Sequence, residues 1–185
     1  MKDSEFISMG YLYKRVADSS DCCPNADGVK DIYSVAGCIS EDFADYIGLN
    51  RNNNYWIFNS LKDMEQLAAE LDSSLEGCTP FFYKMYPVQW NNDRKAWEAF
   101  ESEFGFNTDI EEPEKCVLEG FDVVSYSGKT SPECSPLSCN DIAEAVDVNE
   151  HCLFSTLAAA KEAIESGVFE HAESPPWRIV AVYSV

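Results

Sequence analysis

The chain reads as a mixed α/β (α+β) fold built from two similar strand–helix–strand–helix–strand halves that form one pseudo-duplicated unit. Three observations point there. Short runs of aromatic and β-branched residues alternate with runs of helical period. The same order of elements recurs at an offset of roughly ninety to a hundred residues, a self-similarity like that of repeat proteins. The last run, Arg178 to Val185, is apolar at most positions, as expected of a central strand. The halves divide as 1–89 and 120–185, with 90–119 holding an amphipathic helix and an acidic connector, and the whole is also readable as a single domain.

Gly10 to Val16 is rich in strand formers, and Ala17 to Gly28, with the vicinal Cys22-Cys23, is a loop by composition. Asp31 to Val35 reads as a short strand. Ser40 caps a helix whose Phe43 and Ile47 share one face. Tyr55 to Phe58 is a further strand. Ser60 caps the clearest helix of this half, with Leu61, Met64, Leu67, Ala68 and Leu71 at helical spacing. Phe81 to Val88 follows as a strand, with Pro87 marking its end or an edge.

Asn92-Asp93 opens a predicted amphipathic helix carrying Trp97, Phe100 and Phe104, with the connector 107–119 beyond it. Phe121 to Tyr126 is a strand, and Asn140 caps a helix with Ile142, Ala143 and Val146. His151 to Phe154 is strand-like. Thr156 caps a helix with Leu157, Ala160 and Ile164 that stops at Gly167, before Pro175-Pro176 and the terminal strand. The echo aligns Asp31 to Ser34 with Asp122 to Ser125, Ser40 to Ala44 with Asn140 to Glu144, Ile57 to Leu61 with Leu153 to Leu157, and Phe81 to Val88 with Trp177 to Val185. A cleft between the halves is the natural ligand or partner site.

Thirty-three acids against thirteen bases leave a net charge of −20. Such a chain repels nucleic acid and anionic membrane and attracts basic surfaces at long range. Direct nucleic-acid or membrane binding is therefore not expected; a basic protein partner is. The alternative is that the acidity serves solubility alone. No run approaches the length of a membrane span, and Met1 to Glu5 lead into no apolar signal-like region, so a cytoplasmic address with reduced thiols is expected. The acids concentrate between Glu98 and Asp122, nine of them against the single base Lys115. Glu98, Glu101, Glu103, Asp109, Glu111, Glu112 and Glu114 are the candidate partner-binding residues, with Trp90 and Trp97 as candidate anchors.

Cys134, Cys139, His151 and Cys152 form the one cluster with the residue types for chemistry. Zinc takes four such ligands, but the spacing between the cysteines is loose and adjacent His-Cys rarely serves one ion. A thiolate nucleophile needs a base and an electropositive setting, which a net charge of −20 opposes. His151 and Cys152, adjacent on a strand, would face opposite ways, leaving Cys134 or Cys139 within reach of the imidazole. The simpler reading makes these cysteines small buried hydrophobes around a rigid Ser135-Pro136 turn. No nucleotide-binding, metalloprotease or serine-hydrolase motif occurs, and no cofactor or metal is expected.

The segments Gly120-Phe121-Asp122-Val123-Val124, Glu133 to Asn140 and His151-Cys152-Leu153 resemble a family of bacterial hypothetical proteins without an established activity. That resemblance implies a bacterial or phage-related setting and no catalytic residue. Small acidic proteins without catalytic motifs resemble immunity proteins and inhibitors of toxins or nucleic-acid-processing enzymes. A nucleic-acid-mimicking anti-restriction protein and a thiol- or zinc-dependent enzyme are the alternatives.

Overall fold

The computed structural model describes residues 6–36, 53, 57–100, 110–127 and 132–185. The expected helix after Ser40, most of the strand at Tyr55 and Phe104 lie outside these residues. The fold is α+β, with an antiparallel sheet as its centre. Its strands are β1 (Ile7–Lys14), β4 (Thr79–Asn91), β5 (Ala96–Ala99), β6 (Val117–Ser125) and β7 (Trp177–Ser184). They run in the order β1-β4-β7-β6, with β5 also on β4. A two-stranded ribbon pairs β2 (Ala17–Asp18) with β3 (Asp31–Ile32). The helices are α1 (Ser19–Cys22), α2 (Leu61–Glu70), α3 (Pro136–Cys139) and α4 (Leu157–Ser166). β7 is central, as its apolar density predicts, and is buried along nearly its whole length.

Alternation along the strands separates two apolar layers. Tyr11, Phe82, Phe121, Val123, Ile179, Ala181 and Tyr183 face the layer that contains α4. Met9, Phe81, Tyr83, Met85, Val124, Val180 and Val182 face the other, with Val35, Ile57 and Leu153 packed on them.

Both long helices begin as the sequence predicts. The Ser60 hydroxyl accepts the Asp63 N–H at 3.2 Å, and the Thr156 hydroxyl accepts the Ala159 N–H at 3.1 Å. Thr156→Ala is expected to cost about 1 kcal/mol of stability, read as a lowered urea midpoint with unchanged slope.

Four expectations are corrected. The segment opening at Asn92 is not a helix: β4 and β5 form a hairpin in which Trp90 pairs with Trp97. Asn91 Oδ1 accepts the N–H groups of Asp93 and Arg94 at 3.1 and 2.9 Å, and this local bond turns the chain where a helix would begin. Asn140 closes a helix rather than opening one. Pro136, with its φ pre-set, begins α3, and Asp141 at φ +57° breaks the path before a short 3₁₀ turn over Ile142–Glu144. The His151 segment is a turn with Cys152 at φ +59°, and of it Phe154 alone bridges to the sheet. Pro87 does not end its strand. It lies where pairing to β7 shifts register and where β4 exchanges β1 for β5 as its other neighbour.

β1 and β6 are each bridged in a similar way by a later segment. Asn53 Nδ2 donates to the Met9 carbonyl at 2.7 Å, and Asn149 Nδ2 donates to the Glu119 carbonyl at 2.7 Å. Tyr11 and Phe58 exchange backbone hydrogen bonds, as do Phe121 and Phe154. Ser60 and Thr156, the caps of α2 and α4, lie two residues past these bridges.

Candidate partner-binding surface

Phe82, Lys84 and Tyr86 alternate with buried Phe81, Tyr83 and Met85 along β4, so they share one face of the sheet. Across the strands Tyr11 lies beside Phe82, with ring centroids 4.9 Å apart, and Phe82 beside Tyr183 at 6.0 Å. Lys84 rises among these rings, its Nζ 5.8 Å from the centre of Phe82 and 5.7 Å from that of Tyr183. It is 7% exposed. Helix α2 packs along β1 and α4 along β6 and β7. Residues 110–114, which have no regular secondary structure, are tied to this face from above.

The ties are specific. Lys84 Nζ donates to Glu112 Oε2 at 2.7 Å, and Ser8 Oγ donates to Glu112 Oε1 at 2.6 Å. The Tyr11 hydroxyl donates to the Glu111 carbonyl at 2.5 Å, and Ile110 packs against the core. Partial burial pushes the Glu112 carboxyl up, but the bonds from Lys84 and Ser8 and the Lys84 charge outweigh it and hold the pKa below its ordinary value. The strap thus has one engaged carboxylate, the half-exposed Glu112, beside Glu111 and Glu114, which are exposed.

The other predicted residues are dispersed. Glu98 lies on β5, where it accepts from Asn91 at 2.8 Å and pairs with Arg94 at 3.4 Å. Glu101, Glu103 and Asp109 lie outside the described residues. Trp90 is 6% exposed and belongs to the core, so its ring is not offered to a partner. Trp97 is half-buried. Its Nε1 donates to Glu165 at 2.6 Å, and its ring lies 5.1 Å under the Lys161 ammonium.

Several of the described cations are withdrawn from solvent or paired. Lys14, Lys84 and Arg178 are all below 10% exposed. The Arg178 guanidinium lies between the rings of Phe100 and Tyr126, at 3.9 and 4.4 Å. Lys30 pairs with Glu150 and Lys95 with Glu170.

The cysteine–histidine cluster does not assemble. His151 Nδ1 meets Asp31 Oδ1 at 2.6 Å, its Nε2 lies 3.7 Å from Glu119, and its ring stacks on Tyr33 at 4.0 Å. Both ring nitrogens thus face carboxylates. Cys134 accepts the Ser125 N–H through its backbone carbonyl, and Cys139 ends α3. Cys152 is 2% exposed, and burial, followed by its neighbour Cys23, pushes its thiol pKa far up, the opposite of what a nucleophile needs. Among the described residues no three His, Cys, Asp or Glu side chains converge as a metal ion requires.

Two charged positions escaped the sequence reading, Lys84 and Asp122. Each is a charged residue inside an otherwise apolar strand run, and that interruption was the available signal. Asp122 is wholly buried. It accepts from Ser135 Oγ at 2.6 Å, Ser34 Oγ at 2.7 Å and the Val35 N–H at 3.1 Å, tying the loop after β3 and the turn before α3 to the sheet.

No family model, curated protein or solved structure matches this chain. Among the described residues no helix is long and apolar enough to cross a membrane.

Proposed function

We propose that this chain is an acidic cytoplasmic binding protein of the inhibitor or immunity type, whose partner is a basic protein such as a toxin or a nucleic-acid-processing enzyme. One observation carries the reading: the acidic segment is tied down at Glu112 while Glu111 and Glu114 are exposed, in a chain of net charge −20. A strap held in one conformation loses less entropy on binding than a free chain. An anionic field of this strength speeds encounter with a basic partner.

The test is charge reversal at Glu98, Glu111 and Glu114 in the full chain, with kinetics measured against the basic protein that co-purifies at low ionic strength. The triple lysine variant should lose at least about tenfold in association rate, with a flatter salt dependence. Unchanged kinetics would assign the acidity to solubility instead. The bacterial setting enters this proposal only through the family resemblance and supplies no residue roles.

A further inference from the structure

We infer that the face formed by Tyr11, Phe82, Lys84 and Tyr183 is a binding site for an extended acidic peptide, and that residues 110–114 occupy it in cis as an exchangeable strap.

The inference starts from Lys84. A lysine at the middle of a central strand, 7% exposed, gives up most of its hydration. A chain that needed only to cover an aromatic sheet face would do so at least as well with an apolar side chain, because a lysine withdrawn from water and paired with a half-exposed carboxylate contributes little net stability. The best-attested use of such a pair is to set register or to switch. Here the cation has a defined seat, above the rings of Phe82 and Tyr183, and its carboxylate comes from a segment without secondary structure.

The receptor and the strap differ in construction. Tyr11, Phe82, Lys84 and Tyr183 stand on three hydrogen-bonded strands, so their positions are set whether or not the strap is present. The strap is held by the paired bonds to Glu112, one bond from the Tyr11 hydroxyl to a backbone carbonyl, and the Ile110 contact. The Tyr11 bond reads main chain and Lys84 with Ser8 reads one carboxylate. Together they describe an apolar residue, a spacer and a glutamate. Any acidic peptide with that pattern meets the same groups, and the strap competes with it by lowering the fraction of molecules whose site is open.

The probe is a fluorescein-labelled peptide of residues 108–115, titrated by anisotropy into the full-length protein. Wild type, with its site filled, should bind it weakly. Glu112→Gln in the chain should tighten binding by about tenfold or more, the fraction of closed molecules being the factor removed. Adding Lys84→Met should return binding to the wild-type level or below. A peptide with glutamine in place of the glutamate that meets Lys84 should not bind. Ile110→Ala, which loosens the strap's contact with the core and removes no charge or receptor group, should shift affinity the same way by a smaller factor, and serves if a charge variant fails to fold.

Added salt separates this site from the basic-partner surface. The peptide is anionic like the protein, so screening should leave its binding unchanged or strengthen it, whereas a basic partner should be weakened. Equal binding to wild type, Ile110→Ala and Glu112→Gln, or a gain that survives Lys84→Met, would overturn the inference.

Discussion

Asp122→Ala is expected to lower the unfolding free energy by about 3–5 kcal/mol, the cost of breaking a buried charged network from one side. The carboxylate is fully buried and accepts two serine hydroxyls and a backbone N–H. Its removal strands all three donors away from water and takes a negative charge from the neighbourhood of Lys14, itself buried and bonded to the carbonyls of Ser34 and Ala36. Asp122→Asn keeps the shape and one acceptor oxygen, so it should lose less. Urea denaturation followed by tryptophan fluorescence would measure both, and a loss below about 1 kcal/mol for alanine would remove Asp122 from the framework.

The pH dependence has a definite sign. Burial pushes the Asp122 pKa up and outweighs the bonds from Ser135, Ser34 and Val35 and the charge of Lys14, so the folded value lies above the ordinary 3.8. Folding therefore disfavours the charged form, and wild type should gain on Asp122→Asn as pH falls through the folded value toward 3.8. Glu112 runs the other way. Its lowered pKa means that the stability it supplies is present above the ordinary carboxylate range and lost as pH falls through the folded value.

Gly10→Ala should be comparably damaging, at about 2–6 kcal/mol from backbone strain together with overpacking. Gly10 has φ +126°, and a Cβ there would fall well inside contact distance of the Phe58 carbonyl oxygen. That oxygen accepts the Tyr11 N–H at 2.7 Å, so neither group can move without opening the bridge. Gly120, at the equivalent bulge of β6, would place a Cβ 2.7 Å from Leu153 Cβ and 2.8 Å from the Phe154 oxygen. Gly120→Ala should therefore be destabilising too, by less than Gly10→Ala. Equal stability of Gly10→Ala and wild type in thermal and urea unfolding would contradict the account of the bulge.

Elements whose signals are local were legible beforehand. Ser60 and Thr156 as caps, and Trp177 to Ser184 as a central strand, follow from hydroxyl geometry and hydrophobic period. The recurrence of Ile57-Phe58 at Leu153-Phe154 was legible for the same reason, because each pair precedes a capped helix. The hairpin at Trp90 and Trp97 was not. The spacing of Trp97 and Phe100 fits a helix face as well as it fits the edge of a sheet, and an Asn91 turn together with pairing to β4 decided between them. The His151 turn was missed likewise, since four apolar-rich residues do not reveal that Cys152 takes a left-handed conformation to bring Phe154 to Phe121.

The acidic segment shows the same division. Its charge and its place as a connector were read from the sequence alone. Which of its glutamates faces inward was not, because Glu111 and Glu112 are chemically equivalent until Lys84 and Ser8, on two other strands, approach one of them. Composition and period thus determined the elements and the sign of the field. The tertiary fold decided which charges were removed from water, because burial and pairing depend on residues distant in the chain and brought together only by the sheet.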